Sequence, residues 1–177
     1  MSKDTVVRYK FHFVWQDDRE ERWLRNMARG GLHLVSANLL CRYVFRRGEP
    51  ADIAYRLDFA RGRRDPGYFQ LFEDAGWEHV LSCAGWKYWR KRADGNEPEI
   101  FSDGASKAAR LRRIRNGMVA VGIPALAAAA NPVYLHYSTI SDFSRIGIAA
   151  TVTVLAGLYV YGVAKLNERI RAVSTPV

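Results

Sequence analysis

The chain has 177 residues, which leaves room for one ordinary domain and a small appendage but excludes two large domains. Its net charge of +9 indicates an anionic partner, and the position of that charge is more informative than its sum. Residues 1–110 hold 20 basic and 16 acidic side chains, whereas residues 111–177 hold 7 and 2. The basic excess therefore accompanies the apolar part of the chain. This favours a membrane-flanking role over a uniformly basic nucleic-acid binder.

The N-terminal half begins with a strand and a helix. Apolar side chains alternate with polar ones along residues 6–15, a period typical of a half-buried strand. Acidic residues at the start of segment 17–31 and two glycines at its end predict a helix. Residues 32–46 form a β-rich run, and residues 53–59 alternate again. A turn separates these two segments, so they are predicted to pair as a hairpin.

A second helix and further strands complete this part of the chain. Asp65 with Pro66 predicts the start of the helix, and Gly76 predicts its end. The segment WEHVLSC is predicted to be a strand. WKYWRK and PEIFS, which a polar turn separates, predict an additional hairpin.

The order β-α-β-β-α-β is that of a split βαβ arrangement. Residues 1–103 are therefore predicted to form a cytosolic α+β domain, a ferredoxin-like sandwich with an extra C-terminal hairpin. Both helices of such a sandwich cover the same face of the sheet, so the other face is expected to be open.

Two segments without any Asp, Glu, Lys or Arg follow, residues 116–134 and 146–164, and we call them the charge-free segments. A helix of 19 residues is about 28 Å long, close to the hydrocarbon thickness of a bilayer. Both are predicted to be transmembrane helices that together form a hairpin. The remaining segments are predicted as a basic juxtamembrane helix at 104–115, an extracytoplasmic loop at 135–145 and a cytoplasmic tail at 165–177.

Cations flank the charge-free segments asymmetrically. Eight lie outside the predicted hairpin, against Arg145 alone in its loop. The eight are Lys107, Arg110, Arg112, Arg113, Arg115, Lys165, Arg169 and Arg171. The positive-inside rule places both termini in the cytoplasm and these cations beside anionic lipid headgroups. The N-terminus lacks the apolar core of a secretory signal, so the expected location is a bacterial inner membrane, with two passes.

Several segments together resemble the bacterial domain of unknown function family 2812. They are REERWLRNMARGGLHL, YRLDF, YFQLFEDAGWEHV, WKYWRK and EIFSDGASKAARLRR. The resemblance covers roughly residues 8–113. It implies a membrane-associated protein, often encoded beside a PadR-type repressor. The family has no established activity, so no catalytic residue follows from it.

The open sheet face is the predicted interaction surface. Basic and aromatic groups of strands and hairpin interleave there: Arg8, Lys10, His12, Arg56, Asp58, Trp86, Tyr88, Arg90 and Lys91. Single-stranded nucleic acid binds such platforms, but most of these aromatics are expected to be buried, and nucleic acid is therefore disfavoured. A protein partner or a second copy of the chain is the favoured ligand of this sheet face.

No spacing typical of a metal site, a phosphate-binding loop or a nucleophilic triad is present, so no catalytic, metal or cofactor residue is predicted. Cys41 and Cys83 are expected to be free thiols. The sequence thus predicts a non-enzymatic membrane protein, a regulatory or sensory adaptor that couples the bilayer to a cytosolic interaction domain. The alternative is a nucleic-acid or ligand-binding module anchored to the membrane.

Overall fold

A computed structural model describes residues 4–60, 66–93, 98–100, 104–135 and 141–174. The chain divides into two compact units, Met1–Ser102 and Asp103–Val177.

The described residues of the first unit form six strands and two helices, with one 3-10 turn at Val14–Gln16. The strands are β1 Thr5–Tyr9, β2 Leu32–Ala37, β3 Arg42–Arg47, β4 Ile53–Phe59, β5 Glu78–Cys83 and β6 Trp86–Arg92. The helices are α1 Asp17–Arg29 and α2 Pro66–Asp74. The second unit consists of α3 Gly104–Leu135 and α4 Asp142–Ser174.

The six strands form two antiparallel sheets of three strands, in the orders β1-β3-β2 and β4-β6-β5. The α+β class is therefore confirmed. The predicted pairing of residues 32–46 with 53–59 is wrong, because a turn at residues 38–41 divides the first segment into the β2–β3 hairpin. β4 pairs with β6 instead, and β6 also pairs with β5. The predicted additional hairpin of WKYWRK with PEIFS is therefore wrong for the described residues, since both edges of β6 are occupied and residues 98–100 form no strand, while residues 101–102 lie outside the described part of the chain. The single sheet of a ferredoxin-like sandwich is consequently not what these residues form.

Both sheets arise from the same βαββ motif, used twice. In each repeat the last strand lies between the first and the second. Gly31 and Gly76, with φ of +75° and +78°, stand between helix and second strand at equivalent points, where few residues other than glycine fit. Each second strand then bulges four positions later, at Val35 and at Val80. The unit is therefore an internal structural repeat.

The repeats share one core around α1. Leu24 and Ala28 of this helix are fully buried and pack with Phe45 of the first sheet and Leu57 of the second. The edge strands β2 and β5 are in contact, so the sheets meet along equivalent strands. On the other face of the second sheet, the α2 side chain Phe72 stacks on Trp89 of β6 with ring centroids 4.5 Å apart. The second sheet is thus covered by a helix on each face.

Candidate membrane hairpin and interaction surfaces

α3 and α4 lie side by side and antiparallel, and side-chain contacts define their register. Arg115 Nη1 donates a hydrogen bond to Asn167 Oδ1 at 3.1 Å. Further along, Gly122 lies directly against the ring of Tyr159. Arg115 borders the first charge-free segment, and Lys165 borders the C-terminal end of the second, whose other end is bordered by Arg145. Because Arg115 contacts the residue two positions beyond Lys165, the borders lie at one level of the hairpin.

Beyond this level the hairpin exposes large apolar side chains. Val121 and Ile123 of α3 are more than half exposed, as are Ile146, Val154 and Val160 of α4. A soluble protein rarely leaves so much contiguous apolar surface in water. The exposed apolar side chains make this part of the hairpin a candidate membrane segment.

Among the described residues, one helix segment, Phe143–Ser174, is long and apolar enough to cross a membrane by length and composition. It contains the second predicted span. The first predicted span, residues 116–134, extends into residues whose side chains lie outside the described part of the chain, as does most of the predicted loop at 135–145. The structure therefore supports one candidate span directly.

All eight cations of the predicted topology signal lie at one end of the hairpin. They occupy residues 107–115 of α3 and 165–171 of α4, which lie beside each other because the helices are antiparallel. Arg115 bonds to Asn167, and Lys165 forms an ion pair with Glu168 at 2.8 Å. The basic end of the hairpin is therefore a single feature made by both helices.

The predicted sheet face is not one surface, because β1 and β4 belong to different sheets. Three residues of the second sheet lie partly or wholly inside the protein. Tyr88 is buried and donates to Glu20 at 2.7 Å, and fully buried Asp58 accepts from Tyr68 at 2.8 Å. Trp86 packs half-buried against the shared core.

The three cations of that sheet that belong to the predicted surface are already engaged within the fold. Arg56 forms an ion pair with Glu21 at 3.5 Å, and Arg90 donates to Glu78 at 2.8 Å. Lys91 Nζ donates to the carbonyl of Ala75 at 2.8 Å. Replacing Arg56 or Arg90 with Ala would therefore disturb the fold as well as any surface.

The other three predicted residues, Arg8, Lys10 and His12, belong to the first repeat. Arg8 and Lys10 are exposed, and Lys10 Nζ lies 5.1 Å from the ring centroid of Trp23. Burial and then the charge of Lys10 lower the pKa of His12. Strands β1, β2 and β3 contain Arg8, Arg42, Arg46 and Arg47 but no Asp or Glu. All charged side chains within the three strands of the first sheet, histidine apart, are thus cationic.

One end of this sheet exposes apolar side chains. The Lys10 N–H donates to the Cys41 carbonyl at 3.0 Å, which brings the end of β1 beside the β2–β3 turn. Four residues there are 63–80% exposed, and we call them the apolar tip: Tyr9, Phe11, Leu39 and Leu40. Leaving a leucine in water forgoes about 1.5–3 kcal/mol of burial. This feature is not evident from the sequence because residues 32–46 have the composition of one continuous strand, in which only Asn38, a common turn former, marks the turn.

A buried carboxylate in the core was also missed. Glu20 of α1 is 8% exposed, and its Oε1 accepts hydrogen bonds from Tyr43 at 2.9 Å and Tyr88 at 2.7 Å. Burial raises the pKa of Glu20, although both hydrogen bonds act in the opposite direction. Burial and the neighbouring carboxylate raise the pKa of both tyrosines. The cluster ties α1 to both sheets through one acceptor.

A second carboxylate fastens the start of β4 to α1. Asp52 accepts two hydrogen bonds from Arg25, at 2.6 and 2.8 Å, and two from Arg29, at 2.9 and 3.0 Å. These bonds hold the pKa of Asp52 well below its usual range. Helix and strand are thereby joined by a paired bidentate contact.

These features define an α+β protein of two βαββ repeats followed by a long helical hairpin. A family model described as "Protein of unknown function (DUF2812)" matches residues 16–123, more than half of the chain. The chain therefore belongs to this family, and the resemblance found in its sequence is confirmed. The match runs from the start of α1 into the first charge-free segment. No curated protein and no solved structure matches the chain.

Proposed function

We propose that this chain is an integral membrane protein whose α3–α4 hairpin crosses the bilayer twice. The observation that carries the proposal is the common level of the two charge borders, with Arg115 bonded to Asn167 beside Lys165. Side-by-side charge-free segments with exposed apolar side chains support two spans rather than one. The basic end of the hairpin favours the cytoplasmic side for both termini.

We further propose that the chain acts by interaction rather than catalysis, as a regulatory adaptor. Support comes from α3, which continues without a break from the basic segment into the charge-free segment. A displacement within the bilayer would therefore move the basic segment as well. A place in a circuit with a PadR-type repressor is an expectation of the family resemblance.

Cysteine labelling in intact bacteria tests the topology. In a Cys41→Ser, Cys83→Ser background, Ser144→Cys and Ser174→Cys place single thiols at opposite ends of α4. A membrane-impermeant maleimide should label position 144 in whole cells and position 174 only after lysis. Labelling of both positions in whole cells, or release of the chain by alkaline carbonate, would contradict the proposal.

An insertion tests the coupling. One residue added after Arg115 rotates the preceding helix by about 100°, whereas four residues restore its facing to within about 40°. We expect the single insertion to change the in-cell photocrosslinking pattern of the first unit, and the fourfold insertion to retain more of it. Identical patterns for all three chains would contradict a mechanical link.

A further inference from the structure

We infer that the apolar tip docks into the surface of an anionic bilayer. The inference deepens the proposed function and rests on it in one respect, since the hairpin keeps the chain at a membrane. The chain would then have a second contact with lipid, made by the end of the cationic sheet in its first unit.

Hydrogen bonds within the β2–β3 turn hold its two leucine side chains pointing outward. Asn38 Oδ1 accepts hydrogen bonds from the backbone N–H groups of Leu40 at 3.0 Å and Arg42 at 3.2 Å. The Cys41 N–H also donates to the Asn38 carbonyl at 3.2 Å. Asn38 thus satisfies these three N–H groups of the turn, and Leu39 and Leu40 remain 76% and 80% exposed. Such a turn can enter the apolar side of an interface without leaving these backbone groups unpaired.

The aromatic residues beside the leucines suit the same position. Tyr9 and Phe11 are 72% and 63% exposed at the end of β1. Tyrosine has an apolar ring and a polar hydroxyl, and it is enriched where hydrocarbon meets headgroups. The tip therefore has aliphatic side chains at its turn and an interfacial aromatic next to them.

Charge identifies the lipid as anionic. Arg8, Lys10 and Arg42 flank the tip, and the three strands carry no acidic side chain. Cations near a bilayer surface are attracted to anionic headgroups over about one Debye length. Insertion of the tip would bring these three cations to the headgroups.

Nucleic acid is the competing occupant of a cationic surface with exposed aromatics. Bases bind such surfaces mainly by stacking on aromatic rings, and leucine side chains offer no such face. Leu39 and Leu40 are the most exposed pair of the tip and occupy its turn. The aliphatic content therefore favours lipid.

Photocrosslinking to lipid tests the inference on the full chain in nanodiscs. A photoreactive benzoylphenylalanine replaces Leu39, and in the control it replaces Leu71, which is 68% exposed on α2. Discs contain phosphatidylcholine alone or with phosphatidylglycerol, and lipid adducts are counted by mass spectrometry. In discs with phosphatidylglycerol, we expect at least about tenfold more lipid adduct at position 39 than at position 71. The double substitution Lys10→Gln, Arg42→Gln should reduce the adduct at position 39.

Equal adduct at both positions would overturn the inference. So would binding of a labelled single-stranded oligonucleotide that is lost in a Leu39→Ser, Leu40→Ser variant, if lipid adducts at position 39 stayed at the control level. If the chain is not retained in discs, the proposed function fails, and flotation with phosphatidylglycerol vesicles tests the tip separately. Loss of flotation in the double variant would support docking, and unchanged flotation would overturn it.

Discussion

The ring of Tyr159 on α4 lies so close to Gly122 on α3 that a Cβ at position 122 would overlap it. Gly122→Leu should therefore push the helices apart and destabilise the hairpin by about 1–3 kcal/mol, the usual cost of overpacking. Gly157→Leu is the matched control, because nothing lies within 4 Å of a Cβ there. Thermal unfolding in detergent measures both, and equal melting temperatures would contradict the packing.

The pH dependence of stability should report on Glu20. Because burial raises its pKa in the folded chain, the fold binds a proton that the unfolded chain releases near the ordinary value of 4.5. The free energy of unfolding should fall as pH rises from that value through the raised pKa. Glu20→Gln should remove this slope while keeping an acceptor for Tyr43 and Tyr88. Unfolding at several pH values measures it, with exposed Glu73→Gln as a control that should keep the slope.

Removing the acceptor altogether should have a larger effect. Glu20→Ala leaves the buried hydroxyls of Tyr43 and Tyr88 without this partner, at a cost of about 1–3 kcal/mol each. Denaturant unfolding at neutral pH provides the comparison with Glu20→Gln. An alanine variant as stable as the glutamine variant would show that the hydrogen bonds contribute little.

Asp52→Asn should destabilise the first unit by about 1–2 kcal/mol at neutral pH, since Arg25 and Arg29 lose a charged acceptor. The pKa of Asp52 is lowered, so this contribution is present above the ordinary value of 3.8 and disappears as pH falls below it. Asp18→Asn, which breaks an exposed pair with Arg22, should cost about 0.5 kcal/mol or less. Denaturant unfolding measures both variants, and similar losses in the free energy of unfolding would contradict the expected difference between the two ion pairs.

The β5–β6 turn offers a stabilising change. Ala84 and Gly85 have φ of +52° and +90°, as in two-residue hairpin turns that favour Asn-Gly. Ala84→Asn should raise stability by about 0.5–1 kcal/mol, because asparagine tolerates positive φ better than alanine. Ala84→Val should lower it. Melting temperatures that moved together in both variants would argue against backbone strain.

The positions of both helices of the first unit and of individual strands could be predicted from the sequence. The predicted helix at 17–31 is α1, Pro66 begins α2, and the alternating segment at 53–59 is β4. These elements depend on local signals, namely capping residues, glycines and hydrophobic period.

The pairing of the strands could not be predicted from the sequence, because it depends on turns and on partners that are distant along the chain. The β2–β3 turn contains two leucines and a cysteine, so only Asn38 marked it. Period-two patterns assign the faces of a strand but not its neighbours. The interaction surface was consequently misplaced for Arg56 and Tyr88, whereas the cations of the hairpin end, assigned from linear charge alone, do lie together.

The contact between β2 and β5 has a consequence for synthesis of the chain. The first repeat emerges from the ribosome complete at Arg47, but its β2 edge then has no neighbour. The Leu34 N–H finds its acceptor, the Tyr55 hydroxyl at 3.2 Å, only when the second repeat follows. An uncovered strand edge is a template for pairing with other chains. We therefore expect the β2 edge of the nascent protein to be open to self-association between the completion of β3 and the arrival of β5.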